Sequence, residues 1–332
     1  MSYIAVIGAG SWGTTIAAML AGKEFDVSLW AYEEDLAREM EETRVNRVYL
    51  PGCRLPDNLK ISSEFRDVLK DSRFVISVVP TQHIRGVLAK AAPFLPENAS
   101  FVSASKGIEN DSLKRPSEII LDIFPARNVS VLSGPSFASE VIKERPTAVS
   151  LASCDREEAL LLQELLTTGF FRVYTNEDIA GVELGGALKN VVAIASGISD
   201  GLGLGNNARA ALITRGLAEM RRLGIAMGAR ENTFSGLSGM GDLVLTCTAN
   251  LSRNYTFGMK LAEGRKANEI LAESRSVAEG VQTSKSVMGL IEKYGVEMPI
   301  ALEIYRVIFE GKSPGQAVQD LMSRSLKEEF YG

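Results

Sequence analysis

Ile4-Ala5-Val6-Ile7-Gly8-Ala9-Gly10-Ser11-Trp12-Gly13 is the stretch on which the fold turns. A short apolar run with β-branched residues ends in glycines spaced G-x-G-x-x-G, and Thr14 to Ala21 continue with helical character. Glycine clusters also make ordinary turns, so the motif takes its meaning from the strand before it and the helix after it. In that setting Gly8 permits the tight turn, Gly10 lets the backbone approach a pyrophosphate, and Gly13 allows close packing of helix on strand. The helix start supplies N–H donors and the positive end of its dipole, and Ser11 and Trp12 stand where they can touch the same anion. The stretch therefore predicts a dinucleotide-binding domain.

Working outward, the first half repeats one unit, a short apolar run followed by a segment of helical spacing, which is the βαβ signature. Strands are expected at residues 3–7, 27–30, 74–79, 100–105, 129–132, 148–151 and 171–174. Runs apolar on both faces suit a mostly parallel sheet covered by helices on each side. After about Asp178 the strand signals stop, and helical patterns such as 208–223 and 282–294 alternate with glycine-rich loops. The expected architecture is an α/β Rossmann domain with a doubly wound, mostly parallel sheet over 1–178, followed by an all-α domain over 179–332. An acidic residue at the end of the second strand would favour NAD. Here Trp30-Ala31-Tyr32 precedes Glu33-Glu34, so NAD and NADP both remain open.

The 36 basic and 41 acidic side chains are interspersed and leave a formal charge of −5, which argues against a polynucleotide partner. Cys53, Cys154 and Cys247 are odd in number and far apart, fitting neither a disulfide framework nor a zinc site, and no metal is expected. The opening Met-Ser-Tyr-Ile lacks a basic leader and no apolar run reaches spanning length. A soluble cytoplasmic protein is expected.

Hydride transfer to a ketone needs a proton donor, and the single histidine, His83, lies in the Rossmann half, where a cofactor-side or surface role is favoured over catalysis. Attention moves to Lys189, in the apolar, glycine-rich run Leu184–Val192. Partial desolvation there would lower its pKa and fit it for proton exchange, whereas the ordinary alternative is a snorkelling surface lysine. Lys106 follows a predicted strand at the carboxyl edge of the sheet, where ligands of such sheets bind. Ser133-Gly134-Pro135-Ser136-Phe137-Ala138 is either an oxyanion loop or a plain helix cap. Asp242 closes Ser238-Gly239-Met240-Gly241-Asp242, and Ser252-Arg253-Asn254 begins a helix with donors suited to a phosphate. For these the alternative is helix capping and a solvated arginine.

Taken in order, Gly8 to Gly13, Lys106-Gly107, Ser133 to Ala138, Gly185-Gly186-Ala187-Leu188-Lys189-Asn190, Gly239-Met240-Gly241-Asp242 and Ser252-Arg253-Asn254 resemble bacterial NAD(P)-dependent glycerol-3-phosphate dehydrogenase. The resemblance runs on to Gly295-Val296-Glu297-Met298-Pro299-Ile300 and so covers nearly the whole chain. It implies reversible reduction of dihydroxyacetone phosphate to sn-glycerol 3-phosphate, a precursor of membrane phospholipids, without a metal. It further implies Lys189 as the catalytic lysine. Lys106, Gly134, Ser136, Lys189, Asp242, Ser252, Arg253 and Asn254 would contact the substrate. Gly8, Gly10, Ser11, Trp12, Gly13, Tyr32, Lys106, Ala138, Arg253, Val277 and Glu279 would contact NAD or NADP. A homodimer is compatible with this resemblance. The rival expectations are a hydroxyacid or ketopantoate reductase of similar plan, and a non-catalytic dinucleotide sensor.

Overall fold

Strands β1 (Tyr3–Ile7), β2 (Asp26–Trp30), β3 (Lys60–Ser62), β4 (Phe74–Ser77), β5 (Ser100–Ser103), β6 (Val129–Ser133), β7 (Thr147–Ala152) and β8 (Phe171–Asn176) form one sheet in the computed structural model. The structure describes residues 3–273 and 278–329. Two units can be distinguished, Met1–Ser105 with Pro116–Ile179, and Lys106–Arg115 with Ala180–Gly332. The sheet belongs to the first. Its order is β3-β2-β1-β4-β5-β6-β7-β8, and every neighbouring pair is parallel except β6 and β7. The expected α/β Rossmann architecture is observed, with β3 as an additional three-residue edge strand.

The apolar continuity of the strands has a simple cause. Ile4 and Val6 join a core on one face of the sheet, while Ala5 and Ile7 join a second core on the other. Burying each such side chain contributes about 1.5–3 kcal/mol, so both faces demand apolar residues. Chain order reverses at β1, whose neighbours are β2 and β4. The glycine turn leaves β1 at that reversal, the position at which ligands of open parallel sheets bind.

The second unit contains helices and, among the described residues, no strand. Its centre is the helix Ile179–Gly201, in which every residue from Gly181 to Ser199 is buried. That helix is long and apolar enough to cross a membrane by length and composition, yet 89% of its apolar window lies inside the protein. The helix Arg253–Ala262 crosses it with backbones almost touching. A Cβ at Gly197 would lie 2.0 Å from the Tyr255 carbonyl oxygen, and one at Gly258 would lie 2.1 Å from that of Ile194. No side chain fits at either position, and the close approach sets Arg253–Ala262 against the second half of the central helix.

Segment Lys106–Arg115 groups with these helices although its sequence position had put it in the Rossmann half. Ile108 is fully buried in the helical core, and Arg115 pairs with the buried Glu183 at 2.7 Å. Asn110 donates to Gln282 at 2.8 Å, and Ser286 donates to the Ile108 carbonyl at 2.9 Å. These ties carry Lys106 into the second unit.

Candidate active site

In the first unit the three glycines of the turn answer to different physical demands. Gly8 has φ +114°, where L side chains are strained, and a Cβ there would meet the Val78 carbonyl at 2.9 Å. A Cβ at Gly13 would lie 1.9 Å from the Gly8 carbonyl oxygen. Gly10 is the exception, because a Cβ there meets nothing within 4 Å. Packing within the protein gives no reason for glycine at this position, whereas a pyrophosphate approaching the backbone does. The helix Ser11–Ala21 begins immediately after it, with no side-chain cap and no acidic residue in its first turn. An anion finds its first N–H groups uncontested by a carboxylate.

Other residues singled out from sequence belong to the same unit. Thr15 Oγ1 donates to the carbonyls of Ser11 at 2.8 Å and Ala138 at 3.4 Å, so Ala138 sits against the same helix. Trp12 leans on Phe171, with ring centroids 6.2 Å apart. Tyr32 is exposed and meets Trp30 edge-on. Gly134 has φ +147° and a Cβ would collide with the Val149 backbone, while Ser136 donates to the Gly134 carbonyl at 2.9 Å. His83 is exposed in the short turn Thr81–His83.

The second unit assembles Lys106, Lys189 and Asp242 into one cluster. Asp242 is buried and bridges both cations, with Lys106 Nζ 2.6 Å from Oδ2 and Lys189 Nζ 2.9 Å from Oδ1. Lys189 is 6% exposed, and Lys106 keeps 19% of its side-chain surface. Lys189 Nζ also donates to Thr246 Oγ1 at 2.6 Å, and that hydroxyl donates back to the Asp242 carbonyl at 2.6 Å. Burial pulls the Lys189 ammonium down from its usual 10.5 to about 8; Asp242 opposes the shift and Lys106 adds to it. The snorkelling alternative is thereby excluded.

Local backbone geometry delivers Asp242 to this position. Residues Leu237–Gly241 form a π-turn directly before the helix Asp242–Thr248, an arrangement frequent at functional sites. The turn abuts the central helix at Gly185, where a Cβ would lie 2.5 Å from the Ser238 carbonyl oxygen. Gly185 precedes Lys189 by one helical turn and shares its face, so the contact sets Asp242 against the lysine.

Ser252 and Asn254 both carry structural tasks. Ser252 caps its helix by accepting from the Tyr255 N–H at 3.2 Å. Asn254 donates to Asn190 Oδ1 at 2.9 Å and accepts from the Gly280 N–H at 3.0 Å, while Arg253 between them is exposed. Glu279 opens the helix Glu279–Tyr294, and Val277 lies outside the described residues. Thr246, which joins the cluster, and Asn190, which holds Asn254, were not singled out from sequence. Thr246 follows Asp242 by four positions on a helix, a spacing that places both on one face, and Asn190 adjoins Lys189. Among the described residues no group of histidines, cysteines and carboxylates could hold a metal.

Comparisons with known proteins agree along the whole chain. Residues 3–159 match the N-terminal profile of NAD-dependent glycerol-3-phosphate dehydrogenase, and residues 178–319 match its C-terminal profile. The chain is 56% identical to glycerol-3-phosphate dehydrogenase [NAD(P)+] of Geobacter sulfurreducens, with 99% of each chain covered. It is 55% identical to the protein of that name from Geobacter sp. (strain M21), with 98% of each covered. The crystal structure of glycerol-3-phosphate dehydrogenase from Coxiella burnetii superposes with a TM-score of 0.94 at 42% identity, covering 97% of this chain and 99% of that one.

Proposed function

The chain belongs to the NAD-dependent glycerol-3-phosphate dehydrogenase family, and from that premise we propose how its residues carry out the reversible reduction of dihydroxyacetone phosphate to sn-glycerol 3-phosphate. The observation that carries the proposal is the buried carboxylate of Asp242 holding Lys106 and Lys189 together. The Gly8–Gly13 turn, the N–H groups of the following helix and Ala138 hold the dinucleotide. When bound, the nicotinamide of NAD(P) supplies or accepts the hydride.

Lys189 gives its proton to the ketone oxygen during reduction. Asp242 and Thr246 engage two of its three N–H bonds, and the third is left to serve the substrate. Lys106 adds positive charge beside the oxygen as negative charge develops there, and a fixed charge in a dry site needs no reorganisation during the reaction. Arg253 grips the phosphate, aided by the helix start that Ser252 caps, and Gly134 and Ser136 form the loop facing the substrate. Asn254 acts in the same grip while its side chain stays anchored to Asn190. The enzyme works in the cytoplasm and its product feeds glycerophospholipid synthesis.

The Lys189 pKa gives this mechanism a pH signature. Proton donation requires the ammonium, so kcat/KM for reduction is full below about pH 8 and falls about tenfold per unit above it. The reverse reaction requires the neutral amine and rises through the same value. Profiles of both directions between about pH 6 and 10 would contradict the assignment if neither changed near 8.

Arg253→Lys tests the substrate. Lysine keeps the charge but loses the planar fork, and a charge-assisted hydrogen bond contributes roughly 1.5–3 kcal/mol, so KM for dihydroxyacetone phosphate rises by about tenfold or more. Unphosphorylated dihydroxyacetone loses far less. Equal proportional losses of kcat/KM on the two ketones would show that Arg253 does not read the phosphate.

A further inference from the structure

The turn after β2 ties an acidic side chain to the glycine turn through a chain of hydrogen bonds. Glu33 lies three residues beyond Trp30, the last residue of β2, and occupies the N-cap position of the helix Glu34–Thr43 without a side-chain capping bond. Its Oε1 accepts a hydrogen bond from the Tyr49 hydroxyl at 3.0 Å. Tyr49 is in turn anchored through Asn46, whose Oδ1 accepts from the Tyr49 N–H at 2.9 Å. Asn46 is fully buried, and its Nδ2 donates to the Ala9 carbonyl and to Thr14 Oγ1, each at 2.9 Å. The Gly8 N–H also bonds the Trp30 carbonyl at 3.0 Å, so the strand end and the glycine turn are fixed to each other twice. The Glu33 carboxylate is thus held in register with the backbone that receives the pyrophosphate.

We propose that the Glu33–Tyr49 pair makes this enzyme select NAD over NADP, by offering a carboxylate to the free 2′-hydroxyl of the adenosine ribose and repelling a 2′-phosphate. With one oxygen engaged by Tyr49, the carboxylate keeps a second to accept from a hydroxyl, the role that an acidic residue beyond this strand performs in NAD-binding folds. The surrounding charges act in the same sense. Glu34 and Asp35 occupy the first turn of the helix. The neighbouring cations are already committed, Arg38 to Asp35, Arg44 to Glu41 at 3.0 Å and Arg47 to Glu39 at 3.3 Å. A 2′-phosphate bearing close to two negative charges meets a carboxylate where it would need an arginine. Because the pair is exposed to solvent, the discrimination weakens with salt.

This inference rests on the reading that the glycine turn holds the dinucleotide, and the test separates the two. Intrinsic fluorescence titration of the full chain with NADH and with NADPH, without substrate, measures both dissociation constants. The parent protein binds NADH at least about tenfold more tightly than NADPH, one charge-assisted hydrogen bond being enough for that factor. Glu33→Gln removes most of the difference, tightening NADPH and loosening NADH. Tyr49→Phe keeps the carboxylate but frees it, so NADH weakens a few-fold while NADPH does not improve. Equal affinities in the parent protein, or an unchanged ratio in Glu33→Gln, would overturn the selection. Failure of the parent protein to bind either dinucleotide would instead overturn the glycine turn as the cofactor site, and the proposal with it.

Discussion

Lys189→Met loses about a hundredfold or more in turnover of dihydroxyacetone phosphate while its affinity for the dinucleotide stays near that of the parent protein. Methionine matches lysine in length and fills the same buried volume, so the central helix keeps its packing. What disappears is the exchangeable proton held between Asp242 and Thr246. Asp242 is not stranded by the change, because Lys106 still pairs with it at 2.6 Å. An uncompensated buried charge, the usual reason for collapse when half of an ion pair is removed, does not arise. Melting temperature and dinucleotide titration therefore stay close to parental as kcat falls. Near-normal turnover would remove Lys189 from proton transfer and leave Lys106 as the nearest candidate.

Gly10→Val raises the dissociation constant for either dinucleotide by about a hundredfold, the loss of one or two charge-assisted hydrogen bonds to the pyrophosphate. The structure makes this substitution unusually clean. Gly10 sits at φ −65° and ψ 178°, a conformation open to valine, and an added Cβ has no heavy atom within 4 Å beyond its chain neighbours. Only a ligand approaching the backbone collides with it. Gly13→Ala would be uninformative by comparison, since its Cβ would fall 1.9 Å from the Gly8 carbonyl and the turn itself would fail. A folded Gly10→Val protein with an unchanged titration would show that the pyrophosphate lies elsewhere.

The Rossmann unit was legible because its strands bury both faces, and the resulting apolar runs end in glycine or polar turns. β3 was missed because Lys60-Ile61-Ser62 holds a single buried apolar residue and no pattern. The antiparallel entry of β7 left no trace either, since a strand covered on both faces has the same composition whichever way it runs. Lys189 could be suspected from its apolar helix, but not its partner. Asp242 reaches it through a π-turn seated on Gly185, a tertiary contact that spacing does not encode. Lys106 illustrates the same limit from the other side. Its position after a strand suggested the sheet edge, whereas the burial of Ile108 and the Arg115–Glu183 pair draw its segment into the helical unit. Thr246 needed only the helical period, four residues from Asp242, to be noticed.

Lysine-dependent reduction of a phosphorylated ketone is best checked by following NADH absorbance with parent and Lys189→Met proteins given dihydroxyacetone phosphate. The parent protein is expected to oxidise NADH only when that ketone is present, yielding sn-glycerol 3-phosphate in equal amount, and the variant to bind NADH but oxidise it about a hundredfold more slowly or worse. Cofactor binding with no ketone-dependent oxidation by the parent protein, or equal rates from the two proteins, would contradict it.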